Sequence, residues 1–200
     1  MLCAEENNFK NDDIKLNIPK GILYNDLDFL FSESKKPSYS VSKIYKIHNK
    51  YTPVHDVFEL SIKPDSSLKN LDKLVIFNSV YGYQGGNYKD GYVTANPKVL
   101  GDFYLRYDSI APIITAVNIK QGANLSAQNQ IILRIGDNLS GIKSFNGYID
   151  GDWVLMEYDY KTGRLWNDLD KNLKPGKHTF GLLVSDNKDN KNLYSISFIR

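Results

Sequence analysis

Apolar residues in this chain come in short alternating runs, and turn-forming residues interrupt each run before a helix of useful length could form. Ile14, Leu16 and Ile18 alternate with polar residues until Pro19-Lys20-Gly21 stops them. A period of two puts such side chains on one face of a strand. Phe58, Leu60 and Ile62 repeat the pattern within 57–62, and Lys63-Pro64-Asp65 ends it. Phe103, Leu105 and Tyr107 do so again. Further strands are expected over 26–31, 41–48 and 74–77, and on both sides of the Lys89-Asp90-Gly91 turn beside Tyr88, Tyr92 and Val93. No long amphipathic helix can be drawn, only a short helical turn near 66–72. The 14 Tyr and 9 Phe suit strands better than helices.

At Asp108-Ser109-Ile110-Ala111-Pro112 the alternation stops, and Pro112 cannot donate to a ladder. The same style then restarts. Strands are expected over 113–119, 130–135, 144–149, 153–158, 178–185 and 194–199. Asp150-Gly151 is a two-residue hairpin signal, while Lys161-Thr162-Gly163 and Pro175-Gly176 mark other turns. Short strands at this spacing specify β-sandwiches. The expected fold is all-β, with two consecutive antiparallel β-sandwich domains. Residues 14–108 form the first and residues 109–200 the second, which is immunoglobulin-like. The polar residues 1–13 are expected to be an irregular lead-in.

Charge excludes some functions. The net charge of +2 comes from interspersed signs, with no basic block to track phosphates, so no nucleic-acid partner is expected. No apolar run reaches the roughly 20 residues that span a bilayer, so no membrane span is expected. The single cysteine, Cys3, rules out an intrachain disulfide framework. Only Met1 and Leu2 precede it, and the regions of a signal peptide are not evident.

Several stretches together resemble a known family. They are Ala111-Pro112-Ile113-Ile114, the run Ile131-Ile132-Leu133-Arg134-Ile135-Gly136-Asp137-Asn138-Leu139-Ser140-Gly141-Ile142, Tyr148-Ile149-Asp150-Gly151-Asp152-Trp153-Val154, Pro175-Gly176-Lys177-His178 and Val184-Ser185-Asp186-Asn187. In the first half they are Ile18-Pro19-Lys20-Gly21, Thr52-Pro53-Val54-His55, Leu60-Ser61-Ile62-Lys63-Pro64 and Gly101-Asp102-Phe103-Tyr104-Leu105. This ordered set is similar to the C-terminal, immunoglobulin-like accessory region of lysostaphin-type (LytM-like) zinc murein metallopeptidases. The resemblance implies an exported bacterial protein, periplasmic, cell-surface or secreted. It also implies a spacer or docking role beside a peptidase domain or on peptidoglycan.

The chemistry of that family does not carry over. Its zinc is held by His-x-x-x-Asp and His-x-His motifs, because zinc needs converging imidazoles and a carboxylate with one position open for water. This chain has His48, His55 and His178, and no two are separated by a single residue. Thr52, Glu59 and Leu182 stand four residues beyond them. We therefore expect no enzyme, no cofactor, no metal and no catalytic residue.

Other constellations have simpler structural accounts. Asp137, Asp186 and Asp189 fall in loops where sandwich modules can bind calcium, but turn formation explains them better, and no EF-hand pattern is present. Glu157 and Asp159 share a strand face beside Tyr158, Tyr160 and Trp166, which paired-acid hydrolysis of glycosides would need; a solvated face is the simpler account. Tyr81-Gly82-Tyr83-Gln84-Gly85-Gly86 is glycine-rich yet precedes no helix, so it is expected to be a hairpin loop rather than a phosphate cradle. Exposed aromatics could instead stack on sugars. Tyr81, Tyr83, Trp153 and Trp166 are the candidates for a stand-alone glycan- or peptidoglycan-binding module. An extracellular protein-interaction or adhesion module is the third alternative, and a monomer is expected.

Overall fold

The computed structural model describes residues 1–200. Contacts divide the chain into Met1–Asp108 and Ser109–Arg200. Both units are antiparallel β-sandwiches.

In the first, the strands are β1 (Asn7–Lys10), β2 (Ile14–Ile18), β3 (Phe31–Ser34), β4 (Ile44–Ile47), β5 (Glu59–Ile62), β6 (Leu74–Asn78), β7 (Gly82–Tyr83), β8 (Asn87–Lys89), β9 (Tyr92–Ala95) and β10 (Gly101–Tyr107). They make one sheet in the order β1-β2-β5-β9-β8 and a second in the order β3-β4-β10-β6-β7. The alternating Ile14, Leu16, Ile18, Leu60, Ile62 and Val93 of one sheet share a buried core with Ile47, Ile76, Phe103 and Leu105 of the other. A single 3-10 turn, Leu71–Lys73, precedes β6.

Where strands are this short, side chains extend the ladders. Ser42 Oγ accepts the Leu105 amide at 2.8 Å, Ser40 Oγ–H donates to the Leu105 carbonyl at 3.1 Å, and both serines are buried. These hydroxyls continue the pairing of β4 with β10 beyond the end of β4.

Two expectations for this domain need correction. Residues 1–13 are not an irregular lead-in. Asn7–Lys10 pairs along its length with β2, and Phe9 packs 5.3 Å from Phe29 and 4.8 Å from Phe31. The Met1 ammonium donates to the Leu27 carbonyl at 2.7 Å, and the Leu27 amide returns a bond to Met1 at 2.8 Å. This edge strand was hidden because Phe9 is its one apolar residue. The strand expected over 26–31 begins only at Phe31. Leu27 and Phe29 alternate because they pack on the core from an extended segment without a ladder.

In the second domain the strands are β11 (Ile113–Ala116), β12 (Ala123–Asn124), β13 (Gln130–Gly136), β14 (Ile142–Ile149), β15 (Asp152–Val154), β16 (Glu157–Asp159), β17 (Arg164–Asp168), β18 (Lys177–Asp186) and β19 (Lys191–Ile199). The sheets run β11-β13-β17-β16 and β12-β19-β18-β14-β15. The first has the A-B-E-D order of an immunoglobulin domain, and β19-β18-β14 supplies G-F-C, with β15 added beside C. Only β12 against β19 is parallel. Leu133, Leu165, Phe180, Leu182, Val184 and Phe198 fill the core.

Asp150 and Gly151 make the β14–β15 hairpin with φ of 54° and 93°, the double left-handed pair of a type I′ turn. The single strand expected over 153–158 is in fact two. β15 pairs with β14, whereas β16 pairs with β17 in the opposite sheet, and Leu155-Met156 carries the chain across. Met156 is buried between the sheets, which keeps the apolar pattern unbroken through the crossing.

Candidate functional site

The three imidazoles serve local roles. His48 Nε2 lies 3.2 Å from the Asn49 side-chain nitrogen, and His55 lies edge-on to the Tyr24 ring at 5.7 Å. In the second domain, His178 Nδ1 is 2.6 Å from Asp150 Oδ2 and Nε2 is 2.8 Å from the Lys174 carbonyl. Both ring nitrogens therefore face acceptors, which favours imidazolium. The Asp150 hydrogen bond, then that carbonyl, raises the His178 pKa above its ordinary range. The same bond, helped by the Thr179 amide, holds the Asp150 carboxyl below its own. Cys3 donates its amide to Asp26 at 2.8 Å, and the bond of its thiol to that carboxylate pushes the thiol pKa up. A raised thiol pKa works against nucleophilic use.

Of the acidic loop residues, Asp137 and Asp186 approach within 4.8 Å through carboxylate oxygens. Their hydrogen bonds shape turns. Asp137 Oδ2 accepts the Leu139 and Gly141 amides, both at 2.9 Å. Asp186 accepts the Lys188 and Asn190 amides and the Asn190 side chain. Asp189 points instead to Lys143 at 2.6 Å. Glu157 and Asp159 do sit on one strand, but Asp159 caps the following turn through Thr162 and the Lys161 amide, which hold its pKa low.

The four candidate aromatics do not form one platform. Trp153, 59% exposed, pairs with Tyr148 on the outer face of the β14–β15 hairpin. Trp166 lies on the outer face of the opposite sheet, with the Arg164 guanidinium 5.1 Å over its ring. Tyr83 is half-buried on β7 beside Phe77. Tyr81 borders a concavity.

That concavity, about 410 Å³, belongs to the first domain. Tyr51 and Tyr81 line it at 82% and 54% exposure, over a floor that includes buried Val54 and Leu100. Lys50 and Lys98 also line it, and the Lys50 ammonium lies 5.2 Å from the Tyr51 ring. Each tyrosine is held by its backbone. Asn78, itself buried, accepts the Val80 and Tyr81 amides at 3.0 and 3.1 Å through Oδ1. Asn49 Oδ1 accepts the Tyr51 amide at 2.9 Å. The glycine-rich stretch 81–86, expected to be a hairpin loop, is largely the returning arm of a hairpin: Gly82–Tyr83 is strand β7 paired with β6, and Gly85 O accepts the Ile76 amide, carrying the chain on along β6. Sequence reasoning found Tyr81 but not Tyr51, Lys50 or Lys98, because only the fold unites residues so far apart in the chain.

Comparison with known proteins gives a family and no assigned activity. No curated protein matches this chain. A solved structure of fibronectin(III)-like modules of CbhA from Clostridium thermocellum is similar over 72% of this chain and 85% of that one, at 13% identity and a TM-score of 0.34. Likeness at that level says nothing about a ligand. Neither of these findings supports the lysostaphin-type resemblance. A family model described as a Zu5-like domain matches residues 1–108, the whole first sandwich and more than half of the chain, and the chain therefore belongs to the Zu5-like family.

Proposed function

We propose that this chain is a non-catalytic accessory module of an exported, cell-wall-acting protein, and that it holds a glycan polymer in the tyrosine-lined recess of its first domain. The observation that carries this reading is the pair Tyr51 and Tyr81, mostly exposed and bordering one concavity. Large aromatic side chains normally bury most of their area, so two left in solvent on fixed backbones suit a partner with flat apolar faces. Pyranose rings offer such faces, and Lys50 and Lys98 can donate hydrogen bonds to ring hydroxyls or to acidic substituents. The link to cell-wall peptidases is supported by the ordered motifs of the sequence and belongs to the proposal alone.

Retention on insoluble murein and on a panel of polysaccharides tests this. The intact chain should be retained on at least one polymer. Replacing Tyr51→Ala and Tyr81→Ala together should weaken that retention about tenfold or more. The thermal midpoint should stay put, because trimming exposed side chains changes stability by only about 0.5 kcal/mol. Failure of the intact chain to bind any polymer would remove the glycan reading. Release of soluble fragments from murein, with or without added zinc, would overturn the non-catalytic one.

A further inference from the structure

The second domain has its own cavity, of about 350 Å³, at one end of the sandwich. It opens between the β14–β15 hairpin and the end of β17 with its following loop. Four carboxylates stand around it: Asp150 and Asp152 from the hairpin, Asp168 and Asp170 from the other side. No lysine or arginine lines it. Asp150 is answered by His178. The other three are not neutralised. Asp168 and Asp170 each engage one oxygen, with Gln130 Nε2 at 2.7 Å and with the Asn172 amide at 2.8 Å. Asp152 makes no side-chain hydrogen bond.

A separate observation concerns Asn167. It lines the same cavity, is only 6% exposed, and points inward from β17. Its Nδ2 donates to the Leu155 carbonyl at 2.9 Å, but its buried Oδ1 has no hydrogen-bond partner. A buried acceptor left unsatisfied costs about 1–3 kcal/mol. An N–H donor entering the cavity would recover part of that.

The walls are apolar. Ile149, Val154, Leu155 and Leu173 share the lining with the acids. This mixture does not suit a bare metal ion, which needs several oxygens converging on one point. No three carboxylates of this cavity come within 4.8 Å of one another. Dispersed negative charge over hydrocarbon walls suits a cation on an apolar stem.

We infer that this cavity is a binding site for a lysine side chain presented by a partner polypeptide, its methylenes against Leu155 and Leu173 and its ammonium among Asp152, Asp168 and Asp170. The ammonium offers three donors, enough for oxygens of one or two of these carboxylates and the unpartnered Asn167 Oδ1, while the remaining acid acts at longer range. The site is independent of the tyrosine recess, so either can fail without the other.

Amide NMR on the full isotope-labelled chain, titrated with Nα-acetyl-lysine amide, tests it. Saturable shifts should appear at Asp152, Leu155, Asn167 and Asp168, with a Kd on the order of 1 mM, as expected for one side chain in a shallow site. The norleucine analogue keeps a similar stem and lacks the charge, so it should give no saturable shift. Asp152→Asn with Asp168→Asn should weaken binding about tenfold. Should the double variant lose its dispersed spectrum, Asp152→Asn alone serves, since that side chain holds nothing in place. An equal response to the norleucine analogue would overturn the assignment. So would affinity unchanged by the substitutions, or saturation of the same amides by calcium chloride while the lysine compound stays silent.

Discussion

The two domains reach the same architecture by different means. The longest strand of the first has seven residues, whereas β14, β18 and β19 of the second have eight, ten and nine. The first closes its sheets with side chains that stand in for backbone, such as Ser40, Ser42 and Asn78. The second relies more on long ladders, with β18 paired to β19 through nine consecutive positions, and uses such a stand-in chiefly at Asn118, which extends the β11–β13 pairing. Long ladders leave little irregular backbone, and its candidate cavity sits at their rim. Short ladders leave more, and the tyrosine recess is built from loops. Loops held by buried polar anchors can present side chains without being mobile.

The largest test of this contrast compares one core aromatic from each domain. Phe103→Ala and Phe180→Ala should each cost about 3–5 kcal/mol, because both rings are fully buried. Urea unfolding separates them by probe. Trp153 and Trp166, the chain's two tryptophans, both lie in the second domain. Phe180→Ala should therefore lower the midpoint seen by tryptophan fluorescence, and Phe103→Ala should lower only a part of the transition seen by circular dichroism. Equal movement of the fluorescence midpoint by both variants would break the contrast.

A smaller test probes the side-chain ladder. Ser42→Ala removes the acceptor of the buried Leu105 amide and should cost about 1–3 kcal/mol. If the first domain depended on its backbone ladders as the second does, this variant would unfold at the wild-type urea concentration.

The smallest effect follows pH. His178 has a raised pKa, so its stabilisation is complete below the ordinary histidine value of about 6.5 and fades as pH climbs through the higher folded value. Asp150 has a lowered pKa, so its share is complete above about 3.9 and fades as pH falls through the lower folded value. The pair therefore helps most at mildly acid pH. Asp150 is partly in water, so the gain is that of a surface pair, about 1 kcal/mol or less. Asp150→Asn should flatten the rise in thermal midpoint between neutral and mildly acid pH. A slope identical to wild type would show that the bond does not form in solution.

Sequence reasoning reached the sandwich class and most of its long strands because the apolar period of two survives wherever one face is wet. It failed at particular residues for physical reasons. β17 reads Arg-Leu-Trp-Asn-Asp and places Asn167 where an apolar residue would complete the alternation. β7 and β12 have two residues each, too few to carry a period. Leu27 and Phe29 showed the period without the ladder. The recess needed Tyr51 and Tyr81 brought together across the chain, and the acidic cavity joined the hairpin residues Asp150 and Asp152 to Asp168 and Asp170, which no motif in the sequence singled out.

The two-residue passage at Leu155-Met156 has a consequence for self-association. It stitches the free margin of one sheet directly to the free margin of the other, and both marginal strands, β15 and β16, are only three residues long. A foreign strand seeking to extend either sheet on this flank finds only three residues to pair with, too short a row to template a long ladder. On that side the sandwich is protected by the brevity of its margins, and inserted residues that let either strand lengthen would expose it to fibril-like growth.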